Sequence, residues 1–107
     1  MAAITVNVLL EMKKKGEKIT CLTAYDYSFA ALLDKADTDI ILVGDSLGMV
    51  IQGRETTLGV SLQEAVYHTK CVSKGAKNAL ILADMPFGTF QSCPEAAFDN
   101  AVVLLAD

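Results

Sequence analysis

Cysteine, histidine, proline and tryptophan are all scarce in this 107-residue chain, which has three, one, two and none of them. Cys21, Cys71 and Cys93 are odd in number, widely spaced and free of any CxxC pair, which excludes a disulfide or zinc framework. A reducing compartment fits that usage. Basic residues are also few, 9 Lys and Arg against 13 Asp and Glu, for a net charge of −4. A nucleic-acid binder needs a basic stripe that displaces counterions, and none is present. The one basic cluster, Lys13-Lys14-Lys15, ends a predicted helix, where it complements the negative end of the helix dipole. No apolar run approaches the roughly 18–20 residues that span a bilayer. The N-terminal charges follow the apolar stretch, the reverse of a secretory signal. The expectation is a cytoplasmic protein with neither membrane nor nucleic acid as partner. Neither GxGxxG nor GxxxxGK[ST] occurs, so a dinucleotide or P-loop site has no support, and nothing suggests a Ser-His-Asp triad.

Apolar residues, by contrast, are abundant. They make up 52% of the chain before glycine is added, whereas an ordinary domain reaches about 45–50% with glycine included. A domain of this length buries only roughly two-thirds of its unfolded surface. The chain is therefore expected to associate or to be the N-terminal part of something larger.

The pattern predicts an α/β fold. Thr5 caps a first helix ended by Gly16. Strands are predicted at 19–24, 39–44 and 79–84, short, apolar and alternating with helices, the mark of a parallel sheet. Asp26 or Ser28 opens a helix with an apolar stripe at Phe29, Leu32, Leu33 and Ala36, and Tyr27 and Phe29 are expected to pack. Residues 45–60 read as a long irregular loop, of the kind that carries function. Ser61 with Glu64 forms a capping box for a helix stopping at Gly75, and Ser92 with Glu95 forms another, with Pro94 in the first turn. The last helix runs to the end of the chain without a following strand, so both edges of a three-stranded sheet stay open.

Two of the apolar runs, "DIILVG" and "ALILA", stop on an acid. Ligands of α/β folds bind at the carboxyl ends of the strands. Adjacent parallel strands lie roughly 4.8 Å apart, so Asp45 and Asp84 can face one hard cation such as magnesium. Each could equally cap the turn or helix that follows. Tyr25 and Asp26, closing the first strand, can line the same site. Ser46 can bond a substrate carboxylate or simply form a turn. His68, in mid-helix, is expected to be remote from the strand ends and to serve packing or the surface.

Four stretches, "LTAYDYSFA" at 22–30, "LVGDSLGMVIQG" at 42–53, "AVYHT" at 65–69 and "ADMPFG" at 83–88, together resemble the ketopantoate hydroxymethyltransferase family, in order and over nearly the whole chain. The resemblance implies a (β/α)8 TIM barrel, of which residues 1–107 would hold the N-terminal helix and first three β/α units, since a barrel takes about 250 residues. It implies transfer of a hydroxymethyl group from 5,10-methylenetetrahydrofolate to 3-methyl-2-oxobutanoate, a step toward pantothenate, through a magnesium-stabilised enolate. Carried over, Asp45 and Asp84 become magnesium ligands, and Asp45, Ser46 and Asp84 contact the 2-oxo acid. The catalytic base falls beyond residue 107, so these residues alone are expected to be inactive, and the full-length protein is expected to form homo-oligomers. Asp37 and Gly59 depart from the family, which generally has glycine and proline there. The competing expectations are a magnesium-dependent 2-oxo acid lyase or mutase of the phosphoenolpyruvate mutase–isocitrate lyase kind, and a non-catalytic truncated product.

Overall fold

A computed structural model describes residues 2–106; Met1 and Asp107 lie outside the described residues. Helix α1 (Val6–Lys15) precedes strand β1 (Cys21–Thr23), helix α2 (Tyr27–Lys35), strand β2 (Ile40–Val43) and the short helix α3 (Leu47–Val50). Helix α4 (Leu62–Gly75), strand β3 (Leu80–Ala83) and helix α5 (Pro94–Ala106) follow. The three strands form one parallel sheet in the order β1-β2-β3, with Leu22 beside Ile41 and Ile41 beside Ile81. The expected α/β class and the parallel order hold, and each strand is one or two residues shorter at either end than its apolar run.

Strand residues alternate between the two faces of the sheet. Ile41 and Val43 point into the layer formed by α2 and α4, where both are fully buried with Ala30, Leu47, Val60 and Val72. Ile40, Leu42 and Leu82 alternate onto the opposite face, where Leu82 is 49% exposed. Much of the apolar excess of the composition thus lies in the open, at Leu82 on that face and along α2, α3 and α5.

Local chemistry accounts for the helix ends. The Thr5 side chain accepts from Val8 N–H at 3.2 Å, and Gly16 closes α1 at φ 74°. Asp26 caps α2 by accepting from Phe29 N–H at 2.8 Å. Ser61 and Glu64 form the expected capping box of α4. The second box does not form. Proline at the first helical position makes Cys93 the cap residue, whose carbonyl and thiol accept from Ala97 and Ala96 N–H.

Two further expectations are corrected. The segment 45–60 is not wholly irregular, because turn bonds from Leu47, Gly48 and Val50 back to Gly44, Asp45 and Ser46 wind it into α3. Tyr27, Phe29 and Leu32 do not pack, being about 60% exposed. The face of α2 turned inward carries Ala30 instead, because α4 approaches too closely for large side chains. A Cβ on Gly75 would stand 2.6 Å from Tyr27 O and 2.9 Å from Ala31 N. Gly75 therefore ends α4 from inside the helix, as the point of contact with α2.

Candidate functional site

The amino-terminal ends of the strands are fastened by acids. Asp39 Oδ2 accepts from Thr20 N–H at 2.9 Å and from the Thr20 hydroxyl at 3.1 Å, while Asp39 N–H donates back to Thr20 Oγ1. That exchange joins the entries to β1 and β2. Asp34, at the end of α2, accepts from Asn78 and Ala79 N–H at 2.9 and 2.8 Å, which fixes the entry to β3. Slight burial raises the Asp34 pKa, but the N–H groups of Ala79, Asn78 and Lys77 and the Lys77 charge outweigh it. The carboxyl is held below its ordinary value of 3.8.

The carboxyl ends of the strands are built differently. Asp45 follows β2 and Asp84 follows β3, whose N–H still bonds Val43 O at 3.0 Å. A Cβ on Gly44 would lie 3.0 Å from Asp84 Oδ2, so the Asp84 carboxylate leans across the end of β2, next to Asp45. A side chain there would push that carboxylate aside. Neither acid caps a helix or joins an ion pair among the described residues. Both line one open cleft of about 580 Å³, together with Met85, Phe90 and Ala97. No group of three or more His, Cys, Asp or Glu gathers here or elsewhere among the described residues. The site offers two hard carboxylates with the remaining positions open, the donor set magnesium takes when water and substrate oxygens complete its octahedron.

Ser46 sits at the cap position of α3, yet its hydroxyl makes no cap bond. It is hydrogen-bonded instead to the Tyr25 hydroxyl. Tyr25 is buried, and its carbonyl accepts from His68 Nδ1–H at 2.7 Å. His68 is therefore not remote from the strand ends. One face of α4 runs past the end of β1, and the ring reaches the Tyr25 carbonyl two residues beyond that strand. Of the two residues expected to close β1, which ends earlier at Thr23, Tyr25 bonds Ser46, whereas Asp26 is committed to its helix cap. The approach to α4 is pinned by Glu64, whose carboxylate accepts from Ser61 N–H at 2.8 Å and from the Gln52 side chain and pairs with Arg54 at 3.5 Å. The Ser61 N–H, followed by smaller contributions from the Ser61 hydroxyl, Gln52 and Arg54, holds that carboxyl below its ordinary range.

Met85, Phe90 and Ala97 were not foreseen as part of the site. They reach it through the path of the loop after β3, and only the "ADMPFG" stretch signals that loop in the sequence. Asp37, the first departure from the resemblance, does occupy a left-handed conformation, at φ 64°. Gly59, the second, lies beneath the Arg54 guanidinium, which bonds its carbonyl.

A family model described as ketopantoate hydroxymethyltransferase matches residues 3–107. The chain is 59% identical over 103 residues to a 3-methyl-2-oxobutanoate hydroxymethyltransferase of Neisseria gonorrhoeae, covering 96% of this chain and 39% of that protein. To proteins of the same name it is 60% identical in Methylobacillus flagellatus and 55% in Magnetococcus marinus, each over 98 residues, 92% of this chain and 37% of theirs. The chain thus spans about two-fifths of the length of the curated relatives it matches.

Proposed function

Because this chain belongs to the ketopantoate hydroxymethyltransferase family, we propose that the protein it builds transfers a hydroxymethyl group from 5,10-methylenetetrahydrofolate to 3-methyl-2-oxobutanoate, giving ketopantoate for pantothenate synthesis. The observation that carries this reading is the pair of uncommitted carboxylates, Asp45 and Asp84, at adjacent strand ends in one cleft. They would hold magnesium. When bound, the ion supplies Lewis acidity that makes a C3 proton of a chelating 2-oxo acid easier to remove. Ser46, one residue on, bonds the carboxylate of the 2-oxo acid and orients it. Met85, Phe90 and Ala97 give the cleft an apolar wall suited to the branched alkyl end of the substrate. The base that takes the C3 proton and the contacts to the folate are assigned to none of these residues. These 107 residues alone are accordingly proposed to be inactive.

The same reading extends to the fold. A sheet with helices on one face, an apolar opposite face at Leu82 and unpaired edges at β1 and β3 is what the start of a (β/α)8 barrel would present. Closure would remove both edges and bury that face. The full-length protein is proposed to be a cytoplasmic homo-oligomer. The test is formation of ketopantoate by the full-length gene product with magnesium and methylenetetrahydrofolate. Product that appears only with the folate supports the reading. Folate-independent cleavage or rearrangement of a 2-oxo acid would replace it with the lyase or mutase chemistry.

A further inference from the structure

A capping serine has an extended backbone, whereas Ser46 has helical angles, φ −58° and ψ −17°, and its hydroxyl makes no first-turn bond. Its Oγ is turned to the Tyr25 hydroxyl. The two hydroxyls carry two protons and use one in their mutual bond. Tyr25 Oη and Ser46 Oγ make no other hydrogen bond among the described residues. One proton is therefore left to point outward. Tyr25 is itself held from two sides, by burial of its ring in the core and by the bond from His68 Nδ1–H to its carbonyl. Its hydroxyl is thus a fixed point to which Ser46, on a four-residue helix, is tied.

We infer that Tyr25 is a positioning residue for the 2-oxo acid. Through its hydrogen bond it fixes the Ser46 hydroxyl and aims its remaining proton at the substrate carboxylate, as the last donor of a two-hydroxyl relay. This rests on the transferase reading of the site. With Tyr25 changed to phenylalanine the ring still fills the core, but the Ser46 hydroxyl loses its fixed partner and is free to turn to other rotamers. The cost then falls on binding the 2-oxo acid, since the bond is made alike in ground and transition states.

The experiment measures kcat, the KM of each substrate and calorimetric binding of 3-methyl-2-oxobutanoate with magnesium, in the full-length protein and its Y25F, S46A and Y25F/S46A variants. Y25F is expected to raise KM and Kd for the 2-oxo acid about tenfold, the scale of one hydrogen bond to a charged group, with kcat and the folate KM little changed. The double variant is expected to be no weaker than S46A, because Tyr25 acts only through Ser46. Effects of Y25F and S46A that multiply, or a loss confined to kcat, would overturn the relay while leaving the transferase reading standing. A wild-type protein that neither binds the 2-oxo acid nor forms ketopantoate would instead overturn the transferase reading, and the relay with it. Should Y25F fail to fold, the tyrosine ultraviolet difference spectrum on saturation with the 2-oxo acid serves in its place. A perturbation seen in the wild type and lost in S46A supports the relay; one unchanged in S46A overturns it.

Discussion

The two ends of the sheet use the same residue type in opposite ways. At the amino-terminal end Asp34 and Asp39 accept backbone hydrogen bonds across 44 and 19 positions of sequence, and so staple the strand entries together. At the carboxyl end the Asp45 and Asp84 side chains staple no strand, and the Asp84 carboxylate lies over Gly44. Acids spent on structure are satisfied by N–H groups. Acids that line one cleft without partners are left free to take a hard cation. That contrast is the strongest physical argument that the upper end is a site and the lower end a foundation.

The contrast breaks most visibly with Asp45→Asn and Asp84→Asn in the full-length protein. Each is expected to lower ketopantoate formation about a hundred- to a thousandfold, the scale of losing an electrostatic group at a reacting centre. The melting temperature should stay level or rise. Asp39→Ala should do the reverse, costing about 1 kcal/mol in denaturant unfolding by removing the bonds from Thr20, with kcat largely kept. Gly44→Ala would sharpen the contrast, since its Cβ would meet Asp84 Oδ2 at 3.0 Å. Roughly tenfold weaker magnesium binding is expected in calorimetry, on the scale of disturbing a ligand's surroundings, with stability changed by less than about 1 kcal/mol.

Asp34 adds a pH test at the lower end. Its folded pKa lies below the ordinary 3.8, so its contribution is present above that value and fades as pH falls through the folded pKa. Asp34→Asn should therefore be less stable than wild type at neutral pH, and the difference should shrink below about pH 3.8. An acid-unfolding series checks this. The smallest effect belongs to Asp37→Gly. Relieving φ 64° at a side chain that tolerates it should add up to about 1 kcal/mol, read as a higher melting temperature.

What was legible in the sequence divides along similar physical lines. The parallel sheet, the caps at Thr5, Asp26 and Ser61 and the placement of Asp45 and Asp84 follow from short-range patterns, which residues a few positions apart determine. The face of α2 was misread because packing at Gly75 favours the small Ala30 over the large Phe29 and Leu32. The bonds of Tyr25 to Ser46 and of His68 to Tyr25 span 21 and 43 positions and depend on how α3 and α4 seat against β1. No local pattern encodes them. The cleft wall at Phe90 and Ala97 was hidden for the same reason, since it depends on the path of a loop.

The most direct test of the account is a calorimetric titration of the full-length protein with 3-methyl-2-oxobutanoate, with and without magnesium, repeated on Asp45→Asn and Asp84→Asn. Magnesium-dependent binding that both substitutions abolish, in variants that remain folded, is the predicted result. Binding that survives in either variant, or that needs no magnesium, would contradict the claim that the two uncommitted acids form the site.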